Sequence, residues 1–240
     1  MDTLRRAIEG LAVGVAVTVV VLAVAILPFL NPVWVAFEQG RAQATAWTGY
    51  STEELRVATD AILADLVLGP PDFDVTIEGQ AVLNERERGH MRDVRSVFGA
   101  LYIAAAAAAI VLIGAYAASR TRPARFWGLM GRAGTAIAAG TVVLGGLALA
   151  FFDVAFELFH TLFFPAGSYR FDPGTERLVQ LFPQQFWVES STAVGIVVVA
   201  AGLGLAVIGR RRARLAEASD GRLRGPAPLS PAAPGTGRAR

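Results

Sequence analysis

The chain has 240 residues, of which 54% are hydrophobic and 18% charged, and its mean hydropathy is +0.47. This is too apolar for an ordinary soluble domain and points to a membrane protein. With no cysteine, disulfides, thiolate metal sites and a cysteine nucleophile are excluded. Every basic residue is arginine in a chain rich in alanine and glycine. The pI of about 9.5 therefore reads as composition, and no nucleic-acid partner is expected.

Four apolar stretches, 11–30, 97–118, 135–152 and 192–209, each reach the ~20 residues needed to cross a hydrocarbon core about 30 Å thick. They predict an all-α membrane protein with four transmembrane helices. Arg5 and Arg6 precede the first run, and Ala42-Gln43-Ala44 resembles a cleavage site. The run is longer than the ~7–15 residues of a signal-peptide core and ends well before that site, which favours a retained span.

Charge sets the topology. The connection 119–134 carries Arg120, Arg122, Arg125 and Arg132 without an acid, and eight arginines follow Gly209 against Glu217 and Asp220. Segment 31–96 has eleven acids and six arginines, and segment 153–190 five acids and two arginines. Since short cytoplasmic loops collect arginine, both termini are expected inside and both acidic segments outside.

In chain order, Ser51-Thr52-Glu53-Glu54 reads as a helix start, with Leu55, Ala58, Ile62 and Leu66 on one stripe. Past Gly69-Pro70-Pro71, Phe73, Val75 and Ile77 alternate with polar residues as a strand or hairpin arm. Thus a small outer segment, helix plus hairpin, lies between the first two spans. Residues 84–95 are charged and helix-compatible and lead into the second span, whose Ala104 to Ala109 run offers a smooth packing surface. Residues 1–218 form the transmembrane domain, and 219–240, rich in Pro, Gly and Arg, form a disordered basic cytoplasmic tail.

The two histidines, His90 and His160, flank the second and third spans. Those spans run antiparallel across a short connection, so both histidines come to the outer face as neighbours. If the third helix continues past Phe152, Asp153, Glu157, His160 and Phe164 share a face at 100° per residue, and Phe152, Phe156, Phe159 and Phe163 form the adjacent stripe. The polar stripe is expected to face inward and the phenylalanine stripe lipid. Glu87 and Asp93 stand at helical spacing from His90, as Asp153 and Glu157 do from His160, where a carboxylate can fix a tautomer and raise basicity.

The plainer reading is two interfacial histidines making ordinary hydrogen bonds. An ionisable residue near bilayer depth is, however, a functional candidate. The aromatic set Phe163, Phe164, Tyr169, Phe182, Phe186 and Trp187 reads as an interfacial belt that can also shape an acyl-chain groove. Serine-hydrolase elbows, P-loops, dinucleotide fingerprints and His-Glu-x-x-His are missing, and two histidines are too few for most zinc sites. No metal or cofactor is expected. Two alternatives remain: a haem b protein with both histidines as axial ligands, and a non-catalytic lipid-binding accessory protein.

Two segments resemble a known family. The run Glu85-Arg86-Glu87-Arg88-Gly89-His90-Met91-Arg92-Asp93-Val94 is similar to the Arg-Glu-x-x-His-Met-x-Asp-Val motif of the Lit family, the lipoprotein intramolecular transacylases of bacterial membranes. Phe152-Asp153, Phe156, Phe159-His160, Phe163-Phe164, Ser168-Tyr169, Phe171-Asp172-Pro173, Leu181-Phe182-Pro183 and Phe186-Trp187 resemble its second motif, with Tyr169 where the family usually has tryptophan. The resemblance implies a multi-pass protein of the bacterial cytoplasmic membrane with its site on the outer face. It implies transfer of the sn-2 acyl chain of a diacylglyceryl lipoprotein to the α-amine of its N-terminal cysteine. The partners would be that lipoprotein and membrane lipids, with His90 and His160 as acid and base in an unassigned order.

Overall fold

A computed structural model describes residues 2–224, most of them helical. The order is α1 (Asp2–Ile26), α2 (Pro32–Arg41), α3 (Ala44–Thr48), α4 (Thr52–Val67), β1 (Thr76–Ile77), β2 (Gln80–Ala81), α5 (Glu85–Ala118), α6 (Pro123–Ala150), α7 (Phe152–Phe163), α8 (Arg177–Leu181) and α9 (Gln184–Arg224). Among the described residues, α1, α5, α6 and α9 are long and apolar enough to cross a membrane.

Each is longer than the apolar stretch that announced it, because charged turns extend the helices beyond hydrocarbon. Asn84 caps α5 in a reciprocal box with Glu87, thirteen residues before the apolar run. At the other end of the chain, α9 continues past 219 to Arg224. Ala213, Leu215, Ala216, Glu217 and Ala218 favour helix, and the first proline beyond them is Pro226. Residues 225–240, expected to be disordered, lie outside the described residues.

Two cores result. One joins Val13, Val17, Val21 and Ala25 of α1 to Ala133 and Ile137 of α6 and Val198 of α9. Around it the long helices expose apolar side chains such as Ile103, Ile110, Val142, Leu144 and Ile196, as a lipid-facing surface requires. The tightest contact is between α6 and α9, while α5 leans on α1 and barely touches α6. Antiparallel packing of the second and third spans is therefore not what brings the histidines together. Within the alanine run of α5 only Ala108 is buried. The small residues that permit close approach are glycines: Gly131 and Gly134 lie against Gly202, Ala206 and Gly209.

The second core packs Val35, Leu55, Ala58, Ile62, Phe73, Val75, Ile77, Leu83, Met91, Leu181 and Phe186. It draws on α2, α4, the hairpin, the first turns of α5, and the chain leading into α9. Helix α4 opens on the capping box Ser51–Glu54 and buries the expected stripe except Leu66, which is half-buried. Phe73, Val75 and Ile77 are buried while Asp74, Thr76 and Glu78 are exposed. Ordered pairing is short, Thr76 with Ala81 and Ile77 with Gln80, closed by Glu78 and Gly79 at φ 51° and 77°. Positive φ at both positions is what a two-residue turn matching strand twist demands.

Candidate active site

Helix α6 ends at Ala150. Phe151, at φ −127° and ψ 50°, breaks the ladder before α7 begins. The break re-aims the chain so that α7 carries His160 onto the first turns of α5. His90 and His160 are 7% and 8% exposed, with ring centroids 6.0 Å apart and planes inclined by 22°. Phe164 lies 4.7 Å from His90 and 5.3 Å from His160. Phe171 packs on His90 at 5.4 Å, and Phe156 and Tyr169 on His160 at 4.1 and 5.0 Å.

The two imidazoles differ in their polar contacts. His160 Nδ1 lies 2.7 Å from the Phe156 carbonyl oxygen. A carbonyl only accepts, so Nδ1 carries the proton and Nε2 is the nitrogen with the free lone pair in the neutral ring. A backbone carbonyl thus does what Asp153 or Glu157 was expected to do. His90 Nδ1 is buried without a hydrogen-bond partner. Two imidazoles this close cannot both be charged without mutual repulsion.

Three of the four expected supporting carboxylates have other engagements. Glu87 is 1% exposed and accepts from Asn84 N and Leu178 N, both at 2.7 Å. It joins the start of α5 to the start of α8, a structural role. We expect Glu87→Ala to destabilise the protein by about 2–3 kcal/mol, the cost of leaving amides unpaired that a charged acceptor had served, as read from thermal unfolding in detergent. Asp93 is half-buried and, among the described residues, makes no side-chain hydrogen bond or ion pair. Asp153 is exposed and accepts from Gln184 Nε2 at 2.6 Å.

Glu157 accepts from the Tyr169 hydroxyl at 3.0 Å and from Arg170. The Arg170 hydrogen bond holds Glu157 below the usual carboxylate range. Burial and the bond to Glu157 push the Tyr169 hydroxyl up. With Asp153, Val154, Leu158 and Thr161, Glu157 lines an open cavity of about 460 Å³. The face expected to look inward is therefore split: His160 and Phe164 are buried, Glu157 is half-buried, and Asp153 is exposed. In the adjacent stripe Phe159 and Phe163 are exposed as expected, whereas Phe156 lies against His160.

The aromatic set divides likewise. Phe164 and Tyr169 touch the histidines, Phe182 and Phe186 belong to the second core, and Trp187 is half-exposed 6.4 Å from Phe156. Phe163 stacks on Phe159 at 4.9 Å. The structure adds residues that helical spacing did not pick out. Arg86 lies 4.8 Å over Phe171, pairs with Glu176 and donates to the Arg170 carbonyl at 2.8 Å. Glu176, despite burial, is held low by these bonds. This network fastens the loop that presses Phe171 onto His90, and its partners are some ninety residues apart in sequence, beyond any local signal.

On the far side of α9, Glu38 of α2 is 3% exposed and faces Glu189, which Arg41 grips through both oxygens. Burial, followed by Glu189, pushes the Glu38 carboxyl up from 4.5 to about 6. Between pH 4.5 and 6 the Glu38 carboxyl then binds more protons in the folded protein than in the unfolded chain, so its own contribution to stability falls as pH rises through that window. We expect Glu38→Gln to remove this contribution, so that the difference in stability between wild type and variant shrinks by on the order of 1–2 kcal/mol from pH 4.5 to 6.5, measured by denaturation of both proteins at pH 4.5, 5.5 and 6.5.

Comparisons with known proteins converge on one family. None of the curated proteins matches the chain. In contrast, solved structures of the membrane-integral lipoprotein intramolecular transacylase Lit from Bacillus cereus do match. One has a TM-score of 0.73 at 16% identity over 89% of this chain and 98% of that one. Another, with a histidine replaced by arginine, has a TM-score of 0.71 at 16% identity over 91% and 96%. The fold is thus that of a multi-pass membrane protein. A family model described as lipoprotein intramolecular transacylase Lit matches residues 11–187, well over half the chain and both histidine segments, and the chain belongs to the Lit family.

Proposed function

We propose that the protein moves the sn-2 acyl chain of a diacylglyceryl lipoprotein onto the α-amine of that molecule's own N-terminal cysteine. The product is an N-acylated, lyso-glyceryl lipoprotein. The observation that carries this reading is the buried pair His90–His160, two imidazoles 6.0 Å apart in an aromatic enclosure. Family membership supports the reaction class. The arginine distribution supports both termini in the cytoplasm of a bacterial cell and the histidine pair at the outer face.

An α-amine has an ordinary pKa near 8 and must be neutral to attack an ester. His160 Nε2, aimed by the Nδ1 bond to Phe156, takes the proton that the attacking nitrogen sheds. His90 donates an N–H to the ester oxygen as charge develops there, and the aromatic walls exclude water that would strengthen the competing hydrolysis. The carbon–nitrogen bond forms, the carbon–oxygen bond breaks, and the proton held by His160 passes to the departing glyceryl oxygen. No enzyme nucleophile is required, since nucleophile and ester share one molecule and positioning supplies up to ~7–11 kcal/mol.

Migration from oxygen to nitrogen leaves the lipopeptide mass unchanged, so the test needs fragmentation. The chain is expressed in a bacterial host lacking N-acylation, and a lipoprotein's N-terminal peptide is sequenced by tandem mass spectrometry. The expected product carries its acyl group on the amine and a free glyceryl hydroxyl. A free amine and intact diacylglyceryl group, with folded protein in the membrane, would refute the reading.

A further inference from the structure

We propose that the arginine-rich end of the bundle, opposite the histidines, holds a built site for the phosphate of an anionic phospholipid. Here α6 and α9 cross with almost no side chain between them. A Cβ placed on Gly131 would lie 3.2 Å from Arg210 N and 3.5 Å from Ala206 O. That contact fixes the residues next to it. Arg132 and Arg210 emerge on either side of the crossing and, with Thr135, Gly128, Ala136 and Ala139, line a cavity of about 360 Å³. This is within the ~300–1,000 Å³ of small-ligand sites.

The chemistry of the lining selects the ligand. It holds two guanidinium groups, one hydroxyl and no carboxylate. Arg210 donates to Thr135 Oγ1 at 3.1 Å, which steadies it toward the cavity, whereas Arg132 is exposed and makes no side-chain hydrogen bond or ion pair among the described residues. Arg125, on the same helix, is by contrast occupied by Glu9. Two arginines converging from a rigid frame suit a phosphate's planar oxygen pairs. The Ala136 and Ala139 wall of the cavity offers an apolar surface to the acyl chain of such a lipid.

Depth agrees with a headgroup. Trp127, one turn away, meets Phe126 and Tyr116 edge-on, with Arg212 over its ring at 5.7 Å. Such a cluster of aromatics and arginine belongs at the interfacial level of a bilayer. A lipid bridging α6 and α9 there would brace the helix pair that α7 and the start of α9 extend toward the site.

The full chain, purified in mild detergent, is titrated with phosphatidylglycerol, phosphatidylcholine or inorganic phosphate, and bound lipid is counted by native mass spectrometry. We expect retained phosphatidylglycerol to fall at least fivefold in Arg132→Gln/Arg210→Gln, and phosphatidylcholine to bind weakly to both proteins. The matched variant Arg120→Gln/Arg122→Gln, with the same loss of charge outside the cavity, should retain phosphatidylglycerol. Arg132→Gln alone, which removes an exposed and unpaired side chain, should show a smaller fall and covers the case in which the double variant unfolds. Equal occupancy in wild type and both cavity variants, an equal fall in the matched variant, or displacement of lipid by millimolar phosphate would each overturn the assignment.

Discussion

Replacing His160 with asparagine should abolish acyl migration while leaving the protein folded. Asparagine keeps an N–H that reaches the Phe156 carbonyl, the bond that orients the ring at 2.7 Å. It has no basic nitrogen to take a proton from the attacking amine. Positioned acid–base groups contribute ~10²–10⁴-fold, and we expect a loss of that size in initial rate on a diacylated peptide, with unfolding temperature little changed. His90→Phe is the companion. His90 sits among Phe164, Phe171 and His160 with Nδ1 unpartnered, so a phenyl ring fits the enclosure and removes a buried orphan nitrogen. Its stability should equal or exceed wild type, and its activity should be lost. A fully active His90→Phe would reduce that residue to packing.

The second large effect concerns the frame. A Cβ on Gly134 would stand 2.5 Å from the Gly202 carbonyl oxygen and 2.6 Å from Ala206 N. Backbone cannot yield as the end of a side chain can. Gly134→Ala should therefore cost about 1–3 kcal/mol and Gly134→Leu more, the range for overpacking a close contact. Gly140, on the same helix, has nothing within 4 Å of where an added methyl would stand, and Gly140→Ala should be neutral or slightly stabilising through helix propensity. Thermal unfolding of the three proteins in one detergent decides this. Equal losses at Gly134 and Gly140 would remove the case for a glycine-mediated crossing.

Much of this architecture is legible in the sequence because membranes impose simple rules. The length of each apolar run fixed four spans, and the alternation of Phe73, Val75 and Ile77 matched their burial. Ser51 to Glu54 read as a helix start, and in the structure α4 opens there on a reciprocal capping box. Phe164, expected on the His160 face, does pack on His160, although it is the extended residue that ends α7.

What escaped was of two kinds. The break at Phe151 has no glycine or proline to signal it, so phasing carried across Ala150 could not foresee how α7 turns. Partners chosen by tertiary packing were invisible as well. Glu87, at i−3 from His90, is taken by the amides of Asn84 and Leu178, and Glu157, at i−3 from His160, by Tyr169 and Arg170. Helical spacing proposes candidates for a contact, and the competing donors nearby decide it.

The central claim is that one molecule both supplies and receives the acyl chain under the care of two histidines. Its most direct test mixes purified protein with two diacylated peptides of different sequence, one carrying deuterated acyl chains, and reads the N-acyl products by tandem mass spectrometry. N-acylation of both peptides is expected, with every deuterated chain remaining on the peptide that brought it, and none in His160→Asn. Acyl chains crossing between peptides, or undiminished transfer by His160→Asn, would contradict it.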